Sequence, residues 1–117
     1  PLPLSRHNQK QVPMKHQELI QVLHNCAAYC QRCANECLGE EDVKKMVNCI
    51  RNDRECAELC LTAASLLAMD ASHAREVVQL CAKACRACAE ECGKHDDEHC
   101  KDCAKACREC AEACARF

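Results

Sequence analysis

The cysteines of this chain repeat at the spacing of one face of an α-helix. In CAKACRACAEEC (81–92) they lie four, three and four positions apart, and in CKDCAKACRECAEAC (100–114) three, four, three and four. An α-helix has 3.6 residues per turn, so such positions form one stripe. The Ala, Glu, Lys and Arg residues between them are good helix formers. The two segments therefore predict helices that carry thiols where a core helix usually carries leucine or isoleucine.

Two earlier segments, CAAYCQRCANEC (26–37) and CIRNDRECAELC (49–60), repeat the pattern. Asn52 and Asp53 interrupt the second one, and we interpret Asp53 as a paired or solvated acid rather than a ligand. Sixteen of the 117 residues are cysteine. By contrast, the chain has no Trp, one Tyr (Tyr29) and one Phe (Phe117). Because the aliphatic core is thin for this length, we expect a supplement to stability, and metal or disulfide is the usual one.

The chain predicts an all-α fold, an antiparallel up-down-up-down four-helix bundle with a cysteine-lined core. We expect an extended N-terminal tail at 1–12 and then helices at about 13–38, 41–69, 72–93 and 96–117. Pro13 suits a first helical turn, Gly39 and Gly93 suit helix ends, and Asp96 suits an N-cap. Helices joined by such short turns lie antiparallel.

The cysteines should gather at one end of this bundle, the end that carries the first and third turns. They occupy the second half of helix one, the first half of helix two, the second half of helix three and most of helix four. The opposite end should hold an aliphatic cluster made of Leu19, Val22, Leu23, Leu66, Leu67, Val77 and Val78. The core is thus expected to have an aliphatic half and a thiol half.

Two interpretations of the thiols without metal are weak. Cysteine is often a small core hydrophobe, but sixteen in register on four helices would leave the core underfilled. A disulfide framework is typical of small secreted domains. Cysteines three or four apart on one helix, however, are a poor match to the crossed geometry of a disulfide.

Among metals, Cu(I) fits the pattern best. Zinc sites use isolated groups of four ligands, and the iron–sulfur run C-x-x-C-x-x-C-x-x-x-C-P is absent. Cu(I) is soft, prefers thiolates and accepts two or three of them, so bridging thiolates can link successive ions. One Cu(I) per deprotonated thiol also leaves a buried core near neutral, whereas uncompensated thiolates would be prohibitive.

The four cysteine segments together resemble the bacterial copper storage proteins, a family of cysteine-rich four-helix-bundle copper-binding proteins also labelled ferredoxin-like. The resemblance covers Cys26 to Cys114 and implies a bundle that sequesters many Cu(I) ions, often as a homotetramer. The expected metal ligands are Cys26, Cys30, Cys33, Cys37, Cys49, Cys56, Cys60, Cys81, Cys85, Cys88, Cys92, Cys100, Cys103, Cys107, Cys110 and Cys114. Zinc is a potential substitute, and small thiols or copper chaperones are the expected donors.

Three other side chains are candidate ligands at the thiol end. His95 continues the third stripe beyond Cys92, His99 precedes Cys100, and Met46 continues the second stripe toward the first turn. A His or Met at the mouth of the tube could receive Cu(I) and pass it inward, although each could equally be a loop histidine or a core methionine. Among the other histidines, His16 is expected to be structural, and His24 and His73 are expected to lie on the surface.

Composition excludes several other functions. The net charge is −2, and no basic patch with interleaved aromatics supports nucleic-acid binding. No run of about 18 apolar residues predicts a membrane span. The first residues lack an apolar signal core, which favours the cytoplasm, where thiols stay reduced. The chain does not begin with Met, so a removed leader stays an open alternative.

Catalysis has no support in the pattern, since no nucleophile is paired with a base and the cysteines lie within helices rather than at exposed redox sites. The alternative function is a zinc-binding or redox-active cysteine-rich protein. Metal titration of reduced protein would separate these functions.

Overall fold

The structure is a computed structural model that describes residues 12–117. Over this range the chain forms helices α1 (Gln17–Leu38), α2 (Val47–Ala68), α3 (Ala74–Cys92) and α4 (Glu98–Ala115), with one 3₁₀ turn at Val43–Met46 before α2. Each helix packs against its neighbours in the chain, and α4 packs back against α1. The predicted all-α four-helix bundle is confirmed. Most of the expected extended tail, at 1–11, lies outside the described residues.

Helix α2 begins six residues later than the sequence pattern predicted. The Gly39 and Glu40 amides bond back to the carbonyls of Glu36 and Cys37, which closes α1 in a tight turn. The acidic residues Glu40, Glu41 and Asp42, at the predicted start of the second helix, lie between that turn and the 3₁₀ segment. The 3₁₀ segment follows and buries Met46, which is 4% exposed, so packing of this side chain sets the path into α2.

Gly93 ends α3 for a reason of space rather than of backbone conformation. Its φ is −65°, which any residue can adopt, and its amide donates to the Ala89 carbonyl at 2.9 Å. A Cβ at this position would lie 3.0 Å from that same oxygen. The absence of a side chain therefore permits the chain to turn tightly at the end of α3 toward α4.

The end of the bundle away from the first turn is closed by apolar side chains. Leu23, Leu67 and Val78 are buried there, with Leu23 and Val78 at 0% exposure. The Phe117 ring packs edge-on against His16, with centroids 4.9 Å apart, and under the Arg75 guanidinium at 4.5 Å. The predicted aliphatic half is thus present, and it is continuous with the buried thiols in one core.

From this core we expect the metal-free protein to keep its fold. Each fully buried aliphatic side chain contributes roughly 1.5–3 kcal/mol, whereas a zinc finger without such a core folds only with metal. Circular dichroism of the reduced, metal-free protein should show a helical spectrum, and loading with Cu(I) should raise the melting temperature. A random-coil spectrum before loading would contradict this expectation.

Candidate metal centre

All sixteen cysteines are free thiols on the inner faces of the four helices. Fifteen of their side chains are fully buried, and Cys114 is 2% exposed. The stripes predicted from the spacing converge because each helix turns its cysteine face inward. The result is one continuous lining rather than separate sites.

Neighbouring sulfurs along this lining lie close enough to share an ion. Deep in the bundle, the Cys56 sulfur lies 3.5 Å from that of Cys85, and the Cys60 sulfur 3.5 Å from that of Cys81. Nearer the middle, the Cys30 and Cys107 sulfurs are 3.6 Å apart. Several groups of four ligand atoms, including Cys26–Cys60–Cys85–Cys110 and Cys30–Cys88–Cys103–Cys107, have every atom within 4.8 Å of the others.

These groups overlap, since one cysteine belongs to more than one of them. Cys30 and Cys107, for example, also form a group with Cys26 and Cys56. A shared sulfur suits bridging thiolates and successive ions, not four independent tetrahedral centres. The chemistry favoured by this arrangement is therefore a chain of soft ions along the bundle axis.

Asp53 lies inside the thiol lining, and the interpretation of this residue as a paired or solvated acid was wrong. Its side chain is 0% exposed. Its Oδ1 atom accepts hydrogen bonds from the thiols of Cys88, Cys92 and Cys103 at 3.2, 3.3 and 3.3 Å. A sequence signal for this position existed, because residue 53 is four after Cys49 and three before Cys56 and so takes a cysteine's place in the stripe.

Burial raises the pKa of Asp53 from its ordinary value of 3.8 to about 8, and the neighbouring Cys103 adds to the rise. The folded state therefore holds a proton on this carboxyl over a pH range in which the unfolded chain has lost it. The contribution of the neutral Asp53 carboxyl to the free energy of unfolding is complete below the pKa of Asp53 in the unfolded chain. This contribution is lost as the pH rises toward the pKa of Asp53 in the folded protein.

We expect Asp53→Asn to stabilise the metal-free protein increasingly between about pH 4 and pH 8. The free energy of unfolding should rise by about 5 to 6 kcal/mol at most, since each unit of pKa difference corresponds to about 1.36 kcal/mol. Urea unfolding of wild type and variant at several pH values measures it. Asp102→Asn, which alters a half-exposed acid paired with Arg32 at 3.2 Å, is the control for replacing a carboxyl group by an amide outside the core. A stability difference independent of pH would contradict the assignment.

His99 is the predicted candidate that the fold brings into contact with the thiols. It is 7% exposed, and its Nδ1 atom lies 3.5 Å from the Cys100 sulfur, 3.6 Å from that of Cys33 and 3.9 Å from that of Cys37. Its Nε2 atom lies 2.9 Å from a carboxylate oxygen of Glu40. With Nε2–H donating to Glu40, Nδ1 carries the lone pair and faces the three sulfurs.

The other two non-cysteine candidates are placed differently. His95 lies at the rim, partly buried, with Nε2 3.2 Å from a Glu91 carboxylate oxygen. Met46, at the same end, is 4% exposed and belongs to the same buried core as the cysteines. The sequence pattern favoured His95 because it continues the stripe, but the turn after Cys92 takes it off the helix, and His99 enters on α4 instead.

The thiols around His99 are held neutral in the absence of an ion. Burial raises the pKa of the Cys37 thiol to about 12, with the nearby Cys49 adding to the effect, and burial likewise raises the pKa of Cys100. A metal ion that binds here must therefore displace protons, which is the usual coupling between thiolate ligation and pH.

Comparison with known proteins gives one consistent result. A sequence model described as copper storage protein matches residues 12–117. An uncharacterized cysteine-rich protein of Bacillus subtilis, YhjQ, is 44% identical over 82 residues, which are 70% of this chain and 76% of that protein.

Solved structures of the same kind superpose closely. A Cu(I)-bound copper storage protein, BsCsp3, is 41% identical with a TM-score of 0.84, over 88% of this chain and 97% of that one. The copper storage protein Ccsp from Streptomyces lividans, loaded with 10 copper equivalents, is 38% identical with a TM-score of 0.84, over 87% and 82% of the two chains. A five-copper structure from the same organism, 39% identical with a TM-score of 0.81 over 84% and 87%, is described as a cytosolic copper storage protein. Within the described residues of the present chain, none of the helices combines the length and apolar character needed to cross a membrane.

Proposed function

We propose that this chain, which belongs to the copper storage protein family, stores several Cu(I) ions as thiolates inside its four-helix bundle. The observation that carries this function is the continuous lining of sixteen buried thiols. Soft thiolates select Cu(I), and pairing each thiolate with one monovalent ion keeps the interior near neutral. The cytosolic description of the Streptomyces lividans relative supports the cytoplasm as the place of storage.

Retention of copper is the test. Reduced protein is loaded anaerobically with excess Cu(I), desalted, and analysed for copper and protein. Storage requires that many ions per chain stay with the protein. Retention of one to four ions would favour a discrete site and would overturn the proposal.

We infer that storage, and not catalysis or redox exchange, is the role of the thiols. The relatives identified by function are storage proteins. Redox-active cysteines need access to a partner's sulfur, whereas none of the sixteen cysteines here is more than 2% exposed. The burial that suits ion storage therefore works against thiol–disulfide exchange.

Loading through the end that carries the first and third turns is supported by the contrast between the two ends. At that end His99, with Cys33, Cys37 and Cys100, lies just below a rim formed by Glu40 and Glu91. At the other end Leu23, Leu67 and Val78 close the core. An ion that arrives from a small thiol or a copper chaperone reaches ligands at once at the first end and must cross apolar packing at the second.

Assembly into a homotetramer follows from the family resemblance, and a surface groove between α3 and α4 offers a contact. Its floor is alanine and its rim carries charges of both signs, which allows a copy to pair with itself; the lining residues are Ala89, Ala111, Ala115, Arg86, Glu90, Arg108 and Glu112. Light scattering should give four chains for the wild type and fewer for Ala115→Arg. Thr62→Arg, on the exposed face of α2, is the control and should leave the mass unchanged. A monomeric wild type would contradict the assembly.

A further inference from the structure

The group of four ligand atoms nearest the mouth contains a histidine nitrogen. The deeper groups described above contain only cysteine sulfurs. The group consists of the sulfurs of Cys33, Cys37 and Cys100 and the Nδ1 atom of His99, all within 4.8 Å of one another. Cys33 and Cys37 come from the last turns of α1, and His99 and Cys100 from the first turn of α4. Three cysteines and one histidine are a common ligand set of structural zinc sites.

Five of the six separations among these atoms lie within about 0.4 Å of the edges of a tetrahedron around zinc, and the sixth is below 4.8 Å. With Zn–S bonds of about 2.3 Å and Zn–N bonds of about 2.0–2.1 Å, tetrahedral edges are about 3.8 Å between two sulfurs and about 3.5 Å between sulfur and nitrogen. The Cys33 sulfur lies 3.9 Å from those of Cys37 and Cys100. The nitrogen–sulfur separations are 3.5, 3.6 and 3.9 Å.

Glu40 supplies the outer contact that zinc-binding histidines usually have. Its carboxylate accepts from His99 Nε2–H at 2.9 Å, which fixes the tautomer and turns the Nδ1 lone pair inward. A carboxylate in this role raises the basicity of the ring and orients it toward the metal. Glu40 is partly exposed, so it can make this contact without the cost of a buried charge.

Charge confines a divalent ion to this group. Zn(II) with three thiolates and a neutral imidazole carries a net charge of −1 beside the solvent-exposed rim. Zn(II) with four thiolates would place −2 in the dry interior, at a high desolvation cost. The neighbouring group of Cys33, Cys37, Cys49 and Asp53 shares two sulfurs with the mouth group, so the two groups cannot be filled together.

We propose that Cys33, Cys37, His99 and Cys100 form a tetrahedral site that binds one Zn(II) ion per chain and ties the end of α1 to the start of α4. The proposal does not depend on copper storage, because it concerns a divalent ion at one group of ligands. It separates two metal chemistries by position: one closed site for a divalent ion at the mouth, and a continuous lining for monovalent ions below it.

Titration of the reduced full-length protein with Zn(II), in competition with a chromophoric chelator, tests the site. One equivalent per chain should bind tightly. His99→Ala should weaken binding more than tenfold, and Glu40→Gln should weaken it about 10- to 100-fold, the usual effect of losing such an outer contact. Cys110→Ser, deep in the bundle, should leave the zinc affinity unchanged.

Co(II) in place of zinc gives a readout of geometry, since tetrahedral thiolate-bound Co(II) has intense visible bands. Wild type and Cys110→Ser should show them equally, and His99→Ala should lose or shift them. Glu40→Gln changes a partly exposed side chain, so it keeps the test valid if His99→Ala does not fold. Binding of no zinc, binding of several equivalents, or equal weakening by Cys110→Ser and Glu40→Gln would overturn the proposal. None of these zinc results alters the copper titration, so the failure of either idea is visible by itself.

Discussion

Anaerobic titration of the reduced protein with Cu(I) is expected to reach saturation at between about eight and sixteen ions per chain, or slightly more, and toward the upper end of that range. The lower limit is two unshared thiolates per ion. The upper limit follows from charge, since one Cu(I) per thiolate leaves the interior neutral while eight ions on sixteen thiolates would leave it strongly negative. The short sulfur–sulfur separations, 3.3 to 4.0 Å between several pairs, permit the bridging that the upper limit requires.

Two substitutions show whether the deep thiols hold ions. Cys107→Ser removes a sulfur that lies 3.6 Å from Cys30 and 3.8 Å from Cys26, so it should lower the number of bound ions. Val78→Ala, in the aliphatic half, should lower stability by roughly 1 to 3 kcal/mol and leave that number unchanged. Saturation near one to four ions, or an unchanged number in Cys107→Ser, would contradict storage along the whole lining.

The sequence pattern was sufficient to predict the bundle and the position of every thiol stripe. Helical spacing fixes which residues share a face. A face with three to five cysteines is expected to turn inward in a protein with few large apolar side chains. The separation into an aliphatic half and a thiol half followed from the same spacing and from the direction of each helix.

The surroundings of Asp53 and His99 depend on contacts between helices, which the spacing along one helix does not contain. Asp53 was expected at the surface or in an ion pair, because a carboxyl group is rarely fully buried. In the fold it accepts hydrogen bonds from thiols on α3 and α4, which no spacing on α2 reveals. His99 meets sulfurs that lie more than sixty positions earlier in the chain. His95 lies beyond the end of α3, so it does not continue the stripe of that helix.

Substitutions on the proposed path of copper into the bundle should have the second large effect, on the rate of copper transfer. The measurement is the rate of Cu(I) transfer to and from a chelator. An ion that leaves a small thiol or a chaperone must exchange its ligands before it can be buried. At the mouth, His99 Nδ1 and the sulfurs of Cys33, Cys37 and Cys100 can take it in steps. A donor at this point lowers the barrier to transfer and adds little to the final affinity.

His99→Ala should therefore slow loading and removal of Cu(I) about tenfold or more, which corresponds to about 1.4 kcal/mol in the barrier, while the final ion number falls by about one at most. His95→Ala, alone or with Met46→Leu, should have a smaller effect on both rates, because His95 bonds to Glu91 at the rim and neither side chain belongs to the four-ligand group at the mouth. His73→Ala is the matched control, since His73 is exposed beside the first turn of α3 at the far end. If the mouth substitutions leave the rates unchanged while Leu67→Ala, which removes apolar packing at the aliphatic end, speeds them, then copper enters through the other end of the bundle.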